Sequence, residues 1–528
     1  MLDKKERNEQ LNNNSTEYTS LLLQLLQQQI DAGVKKDQMI ENLTNEMALL
    51  REQVAFLTHK IYGRSKETIP EQTNGQMSLD LFDVPETTSS DEEDEEITVP
   101  THKRKKKGTK AGKMAAFPQK EVHHECNEKE RQCPNCGDQM NELGTQKVRD
   151  EIAFHQAKLE TLQHIQHSYC CKTCERSGET VIKKATVPKP LISNSLGSAS
   201  VVTETIRQKF EMNVPAYRQI KYWHQIGLDI TRENISNWHN TVGHEYLSLL
   251  VERFRMQLSK GDIAFSDETH YRVLNSAREK TYYWVFSNLT TSTTPLVVYH
   301  HSESREGKVA QEFLKDFSGY NHCDGYSVYN SLDGIVPVRC LAHARRKFYE
   351  SIPTKNKEEH VATKVIKQMK KIFHLESTWK ELPPHERLEK RNQELRPLFD
   401  QLYQLIAGIS AVPKSKLDSA VTYASKYRGD IERIFEDGRL ELTNNQSERY
   451  VKRVVMTRKN CLFSTSLKGA QASGHILSVI ETAKLNGLDT CKYLNYLFTE
   501  LPNLPVLTAE SLDAYLPWAD QVQKICKK

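Results

Sequence analysis

Residues 262–271, DIAFSDETHY, begin the part of the sequence that decides the fold. The segments TYYWVFSN (281–288) and TPLVVYHH (294–301) follow after short intervals, and all three segments are rich in β-branched and aromatic residues. Short segments of this composition with short connections are typical of an antiparallel meander. Three β-strands are therefore predicted here, with Asp267 at the end of the first apolar run.

Helices and strands alternate in the segments that follow. A helix is predicted over about 305–317, and the next strand ends at Asp324 in HCDGYSVYN. A short helix around Val328 precedes the strand VPVRC (336–340), and a further helix begins near Ala342. The order βββαβαβα is that of a ribonuclease-H-like fold, an α/β fold with a mixed sheet flanked by helices.

Three acidic residues stand out: Asp267, Asp324 and Glu448, the last in the helical segment NNQSERYVKR. Carboxylates at two strand ends and on a helix can together hold two Mg²⁺ ions about 3.5–4 Å apart. Basic residues beside Glu448 indicate that a polyanion binds nearby, so metal-dependent chemistry on nucleic acid is predicted. Each acid also has a simpler interpretation, since Asp324 can start an Asp-Gly turn and Glu448 can pair with Lys452 on one helix face.

Composition limits the class of protein. The chain has 528 residues, enough for several domains, and a net charge of +4 that is unevenly distributed. No apolar run approaches the roughly 20 residues of a membrane span, and the polar N-terminus lacks the apolar stretch of a signal peptide. Eleven cysteines, six of them in one short region, favour a metal site in a reducing compartment over a disulfide framework. A cytoplasmic protein without membrane contact is predicted.

An apolar seam with alternating spacings of three and four residues predicts a coiled coil near the N-terminus. The seam consists of Ile40, Leu43, Met47, Leu50, Val54, Leu57 and Ile61. The alternative is an amphipathic helix packed on its own domain. Because a polar linker follows the seam, oligomerisation of identical chains is the preferred interpretation.

Residues 65 to about 118 carry blocks of like charge, the acidic SSDEEDEE and the basic KRKKK. Such blocks cannot build a core and often act as interaction tails. The basic block would contact phosphates without sequence specificity; a plain flexible linker is the alternative. The residues of the basic block are Lys103, Arg104, Lys105, Lys106 and Lys107.

Two CxxC pairs follow, in CPNCG and YCCKTC, separated by a few tens of residues. This spacing is typical of a tetrahedral zinc site, and four thiolates leave no open position, so one structural Zn²⁺ is predicted. The predicted ligands are Cys133, Cys136, Cys171 and Cys174. A redox dithiol is the competing interpretation, although it needs only one CxxC pair.

Residues 195–255 have a helical pattern. Two amphipathic stretches joined by GLDIT, with Thr231 as candidate N-cap, are similar to a helix-turn-helix. Helical pairs of this kind also form for packing alone, so both DNA binding and a structural role remain open for this region.

These patterns divide the chain into eight parts. The predicted parts are a helical coiled-coil region (1–64), a charged, disordered linker (65–120), a zinc-binding domain (121–190), a helical region with the helix-turn-helix candidate (191–258), a first part of the catalytic core (259–354), a helical insertion (355–412), a second part of the core with the third acid (413–488) and a C-terminal helical segment (489–528).

The order of motifs resembles that of transposases of the bacterial insertion sequence 66 family, over almost the full length. The matching segments are YGRSKE (62–67), CPNCG with YCCKTC, VPAYRQ, SDETHYRV, CDGYSVYN, CLAHARRKF, NNQSERYVKRVVMTRKNCLFS and LNGLDTCKYLNYLF. The resemblance covers motifs in all parts of the chain, and their shared order makes it specific.

The resemblance implies a DDE transposase whose catalytic triad is Asp267, Asp324 and Glu448. The two aspartates would ligate two Mg²⁺ (or Mn²⁺) ions, and Glu448 would complete the shell of one of them. Hydrolysis would free a 3′-OH at each transposon end, and that 3′-OH would then attack a target phosphodiester. Glu268 is the obvious wrong candidate. Thr443 departs from the family pattern, in which many relatives have Asp.

The implied partners are double-stranded DNA at the element ends and at the target, further copies of the chain, and small accessory proteins of the same element. The protein would associate with the nucleoid when bound. Outside the linker block, the candidate DNA contacts are Arg449, Lys452, Arg453, Arg458, Lys459, Arg345 and Arg346. His343 is interpreted as a packing residue rather than a metal ligand with Cys340, and Asn444 and Asn445 as supports for the backbone before Glu448 or as DNA contacts.

Two other functions compete with this one. A non-catalytic zinc-containing DNA-binding protein, acting as a regulator or scaffold, would need no acidic triad. A ribonuclease-H-like nuclease acting on RNA–DNA hybrids explains the acids but leaves the zinc site, the oligomerisation helix and the basic segments without a role.

Overall fold

The computed structural model describes residues 158–170, 182–330, 332–353 and 360–528, with scattered positions between 27 and 54. Several predicted features lie outside the described residues: the zinc ligands Cys133, Cys136, Cys171 and Cys174, the linker with Lys103 to Lys107, and the seam positions Leu57 and Ile61. No described helix is both long enough and apolar enough to cross a membrane.

The described positions between 27 and 54 are all helical. The five seam residues among them have side chains that are more than half exposed: Ile40, Leu43, Met47, Leu50 and Val54. An exposed apolar stripe at this spacing supports the prediction that a second helix covers it. The coiled coil itself stays a prediction.

A short antiparallel ribbon, β1 (Ser168–Cys170) and β2 (Ile182–Lys184), precedes a group of helices. The helices are α1 (Ala199–Phe210), α2 (Ala216–Gln225), α3 (Arg232–Val242) and α4 (Ser248–Leu258), with a π-helical turn, Gly243–Leu247, between the last two.

The turn between α2 and α3 has the local chemistry that the sequence predicted. Gly227 adopts a φ of 93°, a conformation that residues with a β-carbon rarely take. Thr231 is the N-cap of α3, and its side chain and that of Asn234 form a reciprocal capping box. The predicted pair of helices with a Thr231 cap is therefore confirmed as local structure.

A five-stranded mixed sheet follows. Its strands are β3 (Ile263–Tyr271), β4 (Thr281–Asn288), β5 (Val297–Ser302), β6 (Gly319–Cys323) and β7 (Ile335–Arg339), in the spatial order β5-β4-β3-β6-β7. The predicted antiparallel meander is confirmed, because β4 pairs antiparallel with both β3 and β5. The last two strands run parallel to β3.

Two boundaries differ from the predictions. Strand β3 does not end at Asp267 but continues to Tyr271, because its last residues pair with the beginning of β4. The helix predicted over about 305–317 is shorter, α5 (Gly307–Phe313), because Leu314 leaves the helical conformation and a turn leads into β6. Helix α6 (Leu341–Glu350) follows β7 as predicted.

The helices of the predicted insertion share a hydrophobic core with the sheet. They are α7 (Val361–Thr378), α8 (Pro384–Lys390) and α9 (Arg396–Ala407), followed by α10 (Lys416–Lys426) and α11 (Arg428–Glu432). Apolar residues of α7 and α9, such as Met369 and Leu402, belong to one buried cluster with Phe265 of β3 and Phe348 of α6. Burial of apolar surface therefore attaches the insertion to the sheet.

A buried charge cluster ties the insertion to the chain that leads towards Glu448. Glu376 of α7 accepts hydrogen bonds from Arg387 and Arg391. The guanidinium of Arg391, which has no exposed surface, also donates to the backbone oxygens of Ile434 and Leu440 at 3.0 and 2.7 Å. One carboxylate thus holds two cations that organise the segment beyond α11.

The rest of the chain is helical: α12 (Asn445–Cys461), α13 (Leu467–Leu485), α14 (Thr490–Glu500), α15 (Ala509–Asp513) and α16 (Asp520–Cys526). Helix α13 covers the edge strand β5. The hydroxyls of Ser478 and Thr482 accept hydrogen bonds from the N–H groups of Tyr299 and Val297, and a β-carbon on Gly474 would lie 2.5 Å from the oxygen of Tyr299. Polar groups of the sheet edge are thereby satisfied.

We predict that Glu376→Ala destabilises the fold by about 3–5 kcal/mol, because it leaves the buried guanidinium of Arg391 without a counter-charge and removes one of the two carboxylates that pair with Arg387. The free energy of unfolding in urea measures the effect. The matched control is Glu394→Ala, which removes an exposed pair with Lys390 and should cost less than about 1 kcal/mol. Equal losses in both variants would contradict the role of the cluster.

Candidate active site

The strand register brings Asp267 and the segment that carries Asp324 to the same end of the sheet. In the parallel pair of β3 and β6, Phe265 lies opposite His322, and their rings stack at a centroid distance of 4.4 Å. Asp267 follows Phe265 by two positions on β3 and so lies on the same face of that strand. Asp324 comes directly after β6 and is close enough to Asp267 to influence its charge.

Asp267 is held in a buried and negatively charged environment. Its Oδ1 accepts a hydrogen bond of 2.8 Å from the N–H of Glu268. Burial raises the pKa of Asp267 well above its ordinary value, and the charges of Glu268, Asp324 and Glu448 raise it further. A carboxylate in this setting needs a cation to become fully ionised at neutral pH.

Asp324 follows β6 in a tight turn. Its Oδ1 accepts a 2.9 Å hydrogen bond from the N–H of Tyr326, so the turn that the Asp-Gly pair indicated is present. Asp324 thus starts a turn and also lies near Asp267, so its interpretation as a turn residue does not exclude its interpretation as a catalytic acid.

Sequence reasoning missed Arg339, which holds the turn in place. This arginine lies at the end of β7 and has no exposed surface. Its guanidinium donates to the backbone oxygen of Asp324 and to the side chain of Asn330, contacts the thiol of Cys323 at 3.2 Å, and stacks on the ring of Tyr427. The only signal in the sequence was a charged residue at the end of an otherwise apolar strand.

Glu448 lies in the first turn of α12. Both of its carboxylate oxygens are buried and have no hydrogen-bond partner. Burial raises the pKa of Glu448 to about 7; the guanidinium of Arg346 opposes this rise and Asp324 adds to it. The carboxylate is thus available to a ligand that supplies positive charge.

Two amide side chains dock the start of α12 on the sheet. Asn444 is buried, and its Nδ2 donates to the backbone oxygen of Ser266, the residue before Asp267. Gln446 donates to the hydroxyl of Ser287 on β4. Asn444 therefore has the predicted backbone-supporting role, and the position of Glu448 depends on contacts with β3 and β4.

His343 lies closer to the acids than the sequence suggested. Its Nε2 is 3.8 Å from Oε1 of Glu448, and burial lowers the pKa of His343. Cys340, His343 and Glu448 offer ligand atoms within 4.8 Å of one another, the one such group of three among the described residues. The interpretation of His343 as a packing residue overlooked this contact with Glu448.

Glu268 has partners of its own. Its carboxylate accepts hydrogen bonds from Arg305 at 2.6 Å and from the hydroxyl of Tyr329 at 2.9 Å. Both carboxylate oxygens of Glu268 therefore have a hydrogen-bond partner, whereas those of Glu448 have none. This difference agrees with excluding Glu268 from the triad.

The predicted DNA contacts differ in how much of their charge is free. Arg453 pairs with Glu481 at 3.3 Å and Arg346 with Glu350 at 3.0 Å. Arg458 donates to the backbone oxygen of His270. Arg345 lies over the ring of Phe373. The remaining three, Arg449, Lys452 and Lys459, form no salt bridge with any described residue.

Comparisons with known proteins identify the family of the chain. Residues 194–472 match the model of the transposase IS66 family, and residues 130–175 match the zinc-finger binding domain of transposase IS66. Residues 478–518 match the IS66 C-terminal element, and residues 49–122 match a model described as transposase C of IS166 homeodomain.

Two relatives come from Sinorhizobium fredii (strain NBRC 101917 / NGR234). The uncharacterized protein y4jD is 26% identical over 507 residues, which cover 92% of this chain and 97% of the relative. The uncharacterized protein y4hP is 24% identical over 415 residues, 73% of each chain. The first family model alone spans more than half of the sequence, and it includes Asp267, Asp324 and Glu448. The chain therefore belongs to the IS66 family of transposases.

Proposed function

We propose that this protein is an active DDE transposase, which binds the ends of an insertion sequence and catalyses metal-dependent DNA cleavage and strand transfer. The parallel pairing of β3 and β6, which brings Asp267 close to the end of β6 and hence to Asp324, carries the proposal. The strand order β5-β4-β3-β6-β7 supports a ribonuclease-H-like core. Glu448, on a helix docked against β3, supplies the third acid.

The residues present fit divalent cations. Three carboxylates are hard oxygen ligands of the kind that Mg²⁺ and Mn²⁺ prefer, and both oxygens of Glu448 are buried without a partner. The three carboxylates need not all bind the same ion, because each of the two ions would be held by only some of them. Asp267 and Asp324 would hold both ions, and Glu448 would complete one shell.

When bound, such ions lower the pKa of a water molecule and stabilise the leaving 3′ oxygen. The protein residues would keep the carboxylates aligned. Arg339 fixes the turn of Asp324, while Asn444 and Gln446 fix the start of the helix that carries Glu448. Because ligands must lose their protons, Mg²⁺ should bind less tightly as the pH falls below the raised pKa of Glu448, about 7.

The chemistry needs no nucleophile from the protein. A water first frees a 3′-OH at the transposon end, and that hydroxyl then attacks a phosphodiester of the target. Burial raises the pKa of Cys340, the thiol nearest Glu448, to about 12. A thiol with that pKa stays protonated at neutral pH and is a poor nucleophile.

Zinc, DNA and further copies of the chain complete the proposal. Four thiolates at Cys133, Cys136, Cys171 and Cys174 form a donor set that suits one structural Zn²⁺. Double-stranded DNA would contact the basic residues of α12 and the helix pair α2 and α3. The second helix of that pair exposes polar residues at its N-terminal end, including Arg232 and Asn234. The exposed seam supports oligomerisation; accessory proteins of the element stay a prediction.

The first test is a strand-transfer assay with labelled DNA that carries the element's own ends. We expect Mg²⁺-dependent joining by the wild-type protein and a loss of roughly 10²-fold or more in Glu448→Gln, because a charge that stabilises the transition state is removed. Glu436→Gln is a suitable control, because that carboxylate interacts with Tyr320 away from the triad.

The alternatives give different results in the same assay. Specific end binding without cleavage would favour the non-catalytic DNA-binding protein, and cutting of RNA–DNA hybrids alone would favour the nuclease. Joining that survives in Glu448→Gln would show that the proposed triad is wrong.

We predict that Asp267→Asn raises the melting temperature in EDTA at pH 8. The pKa of Asp267 is higher in the folded state than in the unfolded chain, where it is about 4. Ionisation of this carboxyl therefore opposes folding at pH values above about 4. The gain should therefore be largest at pH 8 and vanish near pH 4. Thermal melts of both proteins at pH 4, 6 and 8 measure it, and a variant less stable than wild type at pH 8 would contradict the prediction.

Arg339→Lys tests the positioning of Asp324. Lysine keeps the charge but not the forked contacts with the backbone and Asn330, so the turnover rate should fall roughly 10–100-fold because the carboxylate is misplaced. The apparent KM for DNA should stay unchanged. The control is Arg439→Lys, which alters a half-exposed pair with Asp262 and Asp437; equal effects of both changes would exclude a specific role.

A further inference from the structure

An exposed apolar tip ends the helix that carries Glu448. We define the tip as residues 461–464, the sequence CLFS. Leu462 has a φ of 65° and is 62% exposed, and Phe463 is 39% exposed. Two large apolar side chains thus face solvent, one of them on a positive-φ backbone conformation that residues with a β-carbon rarely adopt.

The tip is held rigidly. The N–H of Leu462 donates to the oxygen of Arg458, and Ser464 exchanges backbone hydrogen bonds with Arg272 and Leu274, in the loop between β3 and β4, at 3.1 and 3.0 Å. The hydroxyl groups of Tyr271 and Ser464 lie 3.2 Å apart. A strained conformation maintained by this many contacts is typical of a functional site.

Positive charge surrounds the tip. Arg458 and Lys459 form the last turn of α12, and Arg272 is bonded to Ser464 through its backbone. Burial raises the pKa of the Cys461 thiol, while the cations Lys209 and Arg218 nearby oppose that rise. None of these cations forms a salt bridge in the part of the chain that the structure describes; Arg458 donates to the backbone oxygen of His270 and Arg218 to the hydroxyl of Tyr217.

Apolar side chains framed by arginine and lysine residues without acidic partners fit DNA. Proteins that bend DNA insert leucine or phenylalanine between base steps while cations contact the flanking phosphates. The phosphates complement the cations, and the bases offer apolar faces to the two side chains.

We propose that Leu462 and Phe463 form a wedge that unstacks a base step of the DNA engaged by the catalytic helix. This inference rests on the proposed function. The tip lies 14 residues beyond Glu448, about 21 Å along the helix at 1.5 Å per residue. In this proposal α12 lies along the DNA axis, where that length corresponds to roughly six base pairs at about 3.4 Å each, so the distorted step would lie about six base pairs from the scissile phosphate.

Base unstacking is measured by 2-aminopurine fluorescence. The probe is placed at successive positions three to nine base pairs from the cleavage site of duplex DNA with the element's own end. Full-length wild-type protein and Glu448→Gln should both raise the fluorescence near the sixth position. The double variant Leu462→Ser/Phe463→Ser should not, whereas the control Val506→Ser, which alters another exposed apolar residue, should behave as wild type.

A rescue separates wedge action from simple affinity or misfolding. A two-base mismatch at the distorted position should increase Mg²⁺-dependent cleavage by the double variant about tenfold, because the bases at a mismatch are already partly unstacked. It should not restore Glu448→Gln, whose defect is chemical. Loss of the proposed catalytic function would therefore appear in Glu448→Gln, and loss of the wedge only in the double variant.

Several outcomes would overturn the wedge. Wild-type fluorescence in the double variant would do so, as would a cleavage defect that the mismatch leaves unchanged. A change of oligomeric state in sedimentation, with normal fluorescence, would instead assign the tip to an interface between copies of the chain.

Discussion

The mutual repulsion of buried carboxylates is the constraint on which the rest of the catalytic region depends. Asp267 and Glu448 both have raised pKa values because burial disfavours their charged forms and because the negative charge of Asp324 lies near both of them. Without a cation such an arrangement opposes folding. The surrounding structure must therefore hold in place a cluster that would otherwise move apart.

Each acid is held by a different kind of contact. Parallel pairing of β3 with β6 brings the end of β6 next to β3, and the buried guanidinium of Arg339 secures the turn after β6 that carries Asp324. Asn444 attaches the start of α12 to β3. The insertion contributes through Arg391, which binds the backbone before α12. The insertion thus braces the candidate site, and its stability is linked to the position of the third acid.

The contacts of α12 connect the candidate site with the surfaces proposed for DNA. Its first turn carries Glu448, its last turn carries two cations, and its end meets the loop between β3 and β4. Arg218 of α2 lies near Cys461 at the same end. Helix α12 therefore connects the proposed catalytic site at its first turn with the proposed wedge and the helix pair near its last turn.

The strands of the sheet and the Thr231 cap could be predicted because local composition and turn chemistry determine them. The end of β3 was predicted too early, since only pairing with β4 extends the strand beyond Asp267. Arg339 and the contact of His343 with Glu448 could not be predicted, because both depend on side chains that meet across elements distant in sequence.

By itself, the sequence determined the acid-bearing segments, the order of the strands along the chain and the family resemblance, since these depend on residue type and spacing. Only the tertiary structure decided that Asp267 and the end of β6, just before Asp324, lie on neighbouring strands and that Glu448 has no hydrogen-bond partner. It also decided that Leu462 faces solvent near the cations at the end of α12. The physical reason is that burial, electrostatic coupling and register are properties of the packed chain, which no local segment contains.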